Sequence, residues 1–146
     1  MADRMSFEDW SAILAVLNRY AEMVDTRRWQ LAEQVFTDDA TGAYGGGTIV
    51  GGPEALVAFF RTRLDGCGPT QHLLGNYSIC VDGDEAQARC SARMHHQGAG
   101  ERAGLEPYEA FGDYEDLLVR TANGWRIRRR SLTIRMSRGD PAVLHG

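Results

Sequence analysis

Asp25, Tyr20 and His72 bring together a carboxylate, a phenol and an imidazole, the groups needed for proton transfer to and from carbon. Asp25 falls four residues after Ala21 and eleven after Leu14, so on a helix continuing from Trp10 it lies on the apolar stripe. It also lies near the helix C-terminus, where the dipole disfavours an anion by about 0.3–1 kcal/mol. A charge on an apolar stripe at the unfavourable end of a helix breaks a local rule, and such places are often functional. The alternative is an aspartate paired with Arg27, Arg28 or Arg61. Tyr20 faces inward with Leu17 and Val24, and a buried phenol needs a partner, either a ligand or the backbone. His72 opens a strand, with Asn76 four residues on along the same side. A neutral imidazole held by a carboxylate is a good general base near neutral pH. Strict alternation sets His72 opposite Tyr77, Ile79 and Val81, so an inward His72 requires a bulge or a sheet covered on both faces. The alternative is a structural histidine.

Other residues extend or exclude chemistry. His95 and His96 are adjacent on a strand and point to opposite faces, so they do not share one metal. His96 follows the face of Ala92 and Met94 and is expected to reach a pocket. H-E-x-x-H is absent, and no histidine–carboxylate set has metal spacing, which argues against a metal site. Trp125 and Ile127 look inward, whereas Leu132, Ile134 and Met136 share the phase of Arg130; the change of phase predicts a β-bulge. Arg130 then faces the interior, where an anionic group or a developing oxyanion would pair it. The alternative is a solvated basic strand with no site. The glycines form neither G-x-G-x-x-G nor a P-loop, and Arg138-Gly139-Asp140 reads as chance.

The elements that must position these groups are legible. Ser6, with Asp9 three residues on, predicts a helix start, and Trp10, Ile13, Leu14, Leu17, Tyr20, Ala21 and Val24 continue it at helical spacing. A short helix is expected from Trp29 to Phe36, a short strand from Thr41 to Tyr44, and a third helix opening on Pro53. The second half changes to period two. Leu73 to Val81 reads as a strand, Asp82-Gly83 as a turn, and Ala86 to His96 as a strand with one apolar face. Tyr108 to Arg120 and Trp125 to Met136 complete four strands around an Asn123-Gly124 hairpin. The loop from Gly98 to Pro107 is expected to be mobile near the pocket mouth. The fold class is α+β: a curved antiparallel sheet wrapped around N-terminal helices as a cone with an internal cavity. Residues 1–137 form one domain, and 138–146 an unstructured tail.

With 146 residues, 43% hydrophobic and 25% charged, the chain can bury a core without staples. A net charge of −4 speaks against nucleic acid and anionic membranes as partners. Three cysteines without a C-x-x-C pair speak against a disulfide framework. The N-terminus lacks the apolar core of a signal peptide, and a cytoplasmic location is the default. Tyr77, Ile79 and Val81 on an outer sheet face would make the protein a homo-oligomer, dimer or trimer.

The segments LNRYAEMVDTRRWQLAEQVFTDDA, GGPEALVAFF, QHLLGNYSICVDGDEAQARCSA and YEDLLVRTANGWRIRRR together resemble the SnoaL-like branch of the NTF2-like superfamily, over about Phe7 to Met136. The resemblance implies a cone around a deep, mostly apolar cavity. Tyr20, Asp25 and His72 look like the polar set of scytalone dehydratase, bile-acid 7α-dehydratase and hexachlorocyclohexane dehydrochlorinase, which are cofactor-free lyases with an Asp–His dyad. Arg130 looks like the arginine of the dehydrochlorinase, and His96 or His95 resembles a second histidine of scytalone dehydratase. The active-site aspartates of ketosteroid isomerase have no evident match. The implied function is a lyase without cofactor, acting on an apolar, cyclic small molecule through Asp25, His72, Tyr20 and Arg130. His96, Asn76, Met94, Phe36 and Tyr44 would bind the substrate. The alternatives are an isomerase or cyclase, a binding protein without chemistry, and an interaction domain dimerising through its sheet.

Overall fold

A computed structural model describes residues 5–144. Helix α1 spans Phe7–Thr26, and the Ser6 hydroxyl accepts a hydrogen bond from the Asp9 amide at 3.0 Å, as the sequence predicts. Its apolar stripe of Ile13, Leu17, Tyr20 and Val24 is buried. The Asp9 carboxylate also accepts from the Arg120 guanidinium at 2.8 Å and from the Trp125 indole at 3.1 Å. Those two donors, the arginine first, hold the Asp9 carboxyl down to about 2 and tie the start of α1 to the sheet.

The expected second short helix is present as a 3₁₀ helix, Trp29–Gln34, which ends two residues before the expected Phe36. Phe36 belongs to β1 (Phe36–Ala43), so this strand begins five residues earlier than the expected Thr41. A two-residue β2 (Thr48–Ile49) leads to α2 (Gly52–Leu64), which carries proline in its first turn. The strands β3 (Cys67–Asp82), β4 (Glu85–Gly98), β5 (Tyr108–Thr121) and β6 (Gly124–Arg138) form a meander. The sheet has six strands rather than four, in the order β2-β1-β6-β5-β4-β3. It is mixed, because β1 runs parallel to β6 while the other neighbours are antiparallel. Of the early strand pair only the end of β1, from Thr41, was expected, because TDDATG carries little apolar periodicity. Its buried residues, Phe36, Ala40 and Gly42, do not alternate strictly.

Two irregularities set which side chains face α1. The β3–β4 register shifts between Gly75 and Ser78, where Asn76 takes a positive φ of 53°. This bulge lets His72 and Leu74 face inward on one side of it and Tyr77, Ile79 and Val81 on the other. Those last three pack against the core, so they are not the outer apolar face that sequence phase assigned them. The second shift lies between Leu117 and Leu118 on β5, whose partners Arg129 and Ile127 leave Arg128 as the extra residue of β6. It buries Trp125 and Ile127 on one side and Arg130 on the other, as the change of phase predicts. Beyond it Ile134 and Met136 are exposed, against expectation: Ile134 keeps the inward phase but lies at the pocket rim, and a further shift at Phe111/Gly112 reverses the phase before Met136.

The C-terminal segment is ordered. Pro141–Leu144 forms a 3₁₀ turn with Val143 fully buried, and Arg102 reaches the Val143 carbonyl from the Gly98–Pro107 loop. This corrects the expectation of a free tail; its last two residues lie outside those described. No helix is long and apolar enough to cross a membrane among the described residues.

Candidate active site

The end of α1 and the edge of the sheet build the polar part of the site. β3 lies at the sheet edge, so one side of its backbone is left without a strand partner. Asp25, in the last turn of α1, meets that edge. One carboxylate oxygen accepts from the His72 backbone amide at 2.8 Å; the other lies 2.7 Å from His72 Nδ1 and accepts the Thr70 hydroxyl at 2.9 Å. Burial pushes the Asp25 carboxyl up, but the hydrogen bonds from the His72 ring and amide and from Thr70 outweigh it and leave the group below its ordinary value. None of the three arginines proposed as salt-bridge partners takes the Asp25 carboxylate. Arg28 pairs with Glu22 and Arg61 with Asp65. Arg27, at the left-handed end of α1, donates to Thr70, which donates onward to Asp25.

Because Asp25 is an acceptor, His72 carries its proton on Nδ1 in the neutral form. Its other nitrogen, Nε2, is then an unprotonated base. The His72 side chain is only 7% exposed, against 20% for Asp25. His96 stands edge-on to it, ring centres 5.7 Å apart. Its Nδ1 lies 3.0 Å from the Tyr108 carbonyl, which can only accept, so neutral His96 also presents an unprotonated Nε2. Burial, then repulsion from His72, pushes the His96 pKa down to about 4. His95 points to the other face and pairs with Glu109 at 2.9 Å, which settles which of the two adjacent histidines turns inward.

Both inward histidines line a pocket of about 160 Å³ together with Tyr20, Tyr44, Phe60, Met94 and Tyr114. Two larger hollows, one of them touching Arg130 and Asp116, hold neither histidine of this pair. The aromatic rings of Tyr20, Phe60 and Tyr44 pack edge to face, with Tyr44 and Phe60 centred 5.3 Å apart. Gly42 leaves room for this: a Cβ there would lie 2.8 Å from both the Tyr44 ring and Leu56.

Three expected site residues sit elsewhere. Asn76 is exposed and serves the bulge, because its backbone takes a left-handed turn that asparagine tolerates. Phe36 is buried behind the pocket, 6.1 Å from the Tyr20 ring and 6.3 Å from Phe60. Arg130 is fully buried but does not line the pocket. It pairs bidentately with Asp116 at 2.7 and 2.8 Å, and it stacks between the rings of Tyr20 and Tyr114 at 4.2 and 4.0 Å. Asp116 was missed, although period two from Tyr114 to Leu118 places it on the inward face opposite Arg130. Two buried polar atoms have no hydrogen-bond partner among the described residues: the Tyr44 hydroxyl and Arg130 Nη1. No group of three histidine, cysteine or acidic side chains is placed to hold a metal ion among the described residues.

A cone of helices and curved sheet, with a histidine–aspartate pair at the wall of an apolar pocket, places the protein among NTF2-like α+β folds. The chain belongs to the SnoaL-like domain family, whose profile matches residues 5–131. An uncharacterized protein of Mycobacterium tuberculosis is 34% identical over 119 residues, covering 81% of this chain and 80% of that one. A Kribbella flavida protein superposes with a TM-score of 0.87 at 24% identity, over 94% of this chain and 97% of that one. A hexachlorocyclohexane dehydrochlorinase from Novosphingobium barchaimii superposes with a TM-score of 0.78 at 16% identity, over 93% and 92% of the two chains. At these identities the structural likenesses speak for the fold alone.

Proposed function

We propose that this protein is a cofactor-free lyase that eliminates a leaving group from an apolar, cyclic small molecule. The observation that carries the reading is the 2.7 Å contact between Asp25 and the inward His72 ring. His72 Nε2 takes a proton from carbon, and the C–H electron pair becomes the new C=C bond as the leaving group departs. Asp25 holds the tautomer and stabilises the imidazolium, which returns its proton to the departing oxygen. Tyr20 and the unpartnered Tyr44 hydroxyl supply hydrogen bonds to a substrate carbonyl or leaving oxygen. Arg130 lies beneath Tyr20, so it acts through that phenol as a positioning cation. A binding protein without chemistry would have little use for so oriented a base.

A second reading, isomerisation or cyclisation, is favoured by one observation. His96 offers a second unprotonated nitrogen beside His72, able to return the proton at a different carbon.

Asp25→Asn is the test. An asparagine amide turned toward Nδ1 is a donor, so it favours the tautomer protonated on Nε2 and removes the base. Turnover, on a substrate found by thermal-shift screening of cyclic ketones, alcohols and halides, is expected to fall by roughly 10²–10⁴. The His72 ring nitrogens are expected to exchange protonation states in ¹⁵N NMR. Full turnover in a folded Asp25→Asn protein would reject the lyase reading.

A further inference from the structure

The pocket lining carries one full positive charge and no carboxylate. Arg63, in the last turn of α2, is that charge, and it is half-buried beside the exposed Ile134 and the partly exposed Leu144, which mark the opening. At the inner end Tyr20, Phe60, Met94 and Tyr114 are buried. The other cations nearby either pair with a carboxylate or spend their donors on neutral oxygens, as Arg102 does on the Gly66 and Val143 carbonyls. Arg61 takes Asp65 at 3.0 Å, Arg130 takes Asp116 at 2.7 Å, and Arg27 is spent on carbonyls and Thr70. Arg63 pairs with no carboxylate among the described residues. Its guanidinium instead lies 5.0 Å from the centre of the Phe59 ring, a pocket-lining side chain four residues back on the same helix face. Stacking on Phe59 restricts the fork without using its in-plane N–H donors, which remain available for a bidentate acceptor.

The anions of the site do not offset this charge. Asp25 stands behind His72 and is absent from the lining, and Asp116 lies behind the tyrosines with Arg130. An apolar cavity with one unspent guanidinium at its mouth favours an occupant with an apolar body and an anionic outer end.

We propose that the ligand of this pocket is an amphipathic anion, a small cyclic or aromatic carboxylic acid whose rings fill the apolar end while Arg63 holds its carboxylate at the mouth. The cavity is comparable with the roughly 150 Å³ that accommodates benzene in an engineered apolar site, which sets the scale at one or two rings. The proposal rests on the pocket being the ligand site, as in the lyase reading, but not on the chemistry of the Asp25–His72 pair.

Binding of benzoate and 2-naphthoate, each against its uncharged amide, tests it by calorimetry at low salt. At least one acid is expected to bind the wild type about tenfold or more tighter than its amide, and the preference is expected to shrink as salt rises. Arg63→Gln is expected to abolish the preference without changing amide affinity or melting temperature, and Arg63→Lys to keep part of it. If no acid outbinds its amide, or if the preference survives in Arg63→Gln, the proposal is overturned. Asp25→Asn is expected to retain the preference. Loss of turnover there with the preference intact supports both readings. Loss of the preference in Arg63→Gln alongside full turnover in Asp25→Asn upholds the anion site and rejects only the lyase chemistry.

Discussion

Tyr44 follows β1 with its hydroxyl buried and unreceived, while its ring packs against Phe59 and Phe60 at 5.4 and 5.3 Å. A buried hydroxyl without a partner costs about 1–3 kcal/mol. Tyr44→Phe is therefore expected to raise stability by up to that amount in urea unfolding while lowering affinity for an oxygen-bearing ligand. A loss of stability would mean that the hydroxyl is satisfied in the free protein. Arg130 and Asp116 present the opposite case. Both side chains are fully buried and joined by two hydrogen bonds, so removing either leaves an unpaired charge in the core. Asp116→Asn or Arg130→Met is expected to cost about 3–5 kcal/mol, and the double variant Arg130→Met/Asp116→Leu to recover most of it. Unfolding curves of the three variants check this. Additive losses in the double variant would show that the pair does not act as a unit.

At the scale of the element, β3 works because it is broken. A regular strand of sixteen residues would bury either His72 or Tyr77, Ile79 and Val81, but not all of them. The bulge at Asn76 buys both faces, and its left-handed backbone is what the side chain must tolerate. Asn76→Gly is expected to change stability by a few tenths of a kcal/mol. Asn76→Val should cost about 1–2 kcal/mol, because a β-branched residue resists positive φ. Chemical denaturation distinguishes the two, and equal stability of both variants would show that the bulge does not depend on that conformation. The bulge at Arg128 does the same for β6, turning the strand between Ile127 and Arg130 so that the arginine reaches Asp116.

Across the whole molecule, stability is expected to depend on pH through His96. Its pKa is about 4 in the folded protein, against 6.5 when unfolded. Burial is the main cause. His72 and, more weakly, His95 add to the lowering, whereas the Tyr108 carbonyl and Asp25 oppose it. Below pH 6.5 the unfolded chain takes up a proton that the folded one refuses, so the His96 contribution to stability is lost as pH falls from about 6.5 to 4; below that, further loss comes from carboxylates held down in the folded state, Asp9 among them. The full effect is of order 3 kcal/mol. His96→Gln should flatten this part of the stability profile, measured by urea titration at each pH. An unchanged slope would place the titrating group elsewhere.

What the sequence by itself determined was periodic or local. The Ser6 cap and α1, the four long strands, the turn at Asp82-Gly83 and the bulge before Arg130 follow from spacing, because each depends on residues a few positions apart. Asp25 stood out for a similar reason: it breaks the local rules of its own helix. Spacing did not say which groups meet: the Asp25–His72 pair was implied only by the family resemblance, and the contact itself is tertiary. Asp25 reaches His72 across 47 residues of chain, and only the exposed edge of β3 and the bulge at Asn76 bring them into contact. Tertiary structure also decided that Arg130 spends its charge on Asp116 rather than in the pocket, and that the C-terminal turn closes over the core through Val143. Those outcomes depend on which partner is closest in space after the sheet has curled, and a pairing between distant segments leaves no period in the chain to read.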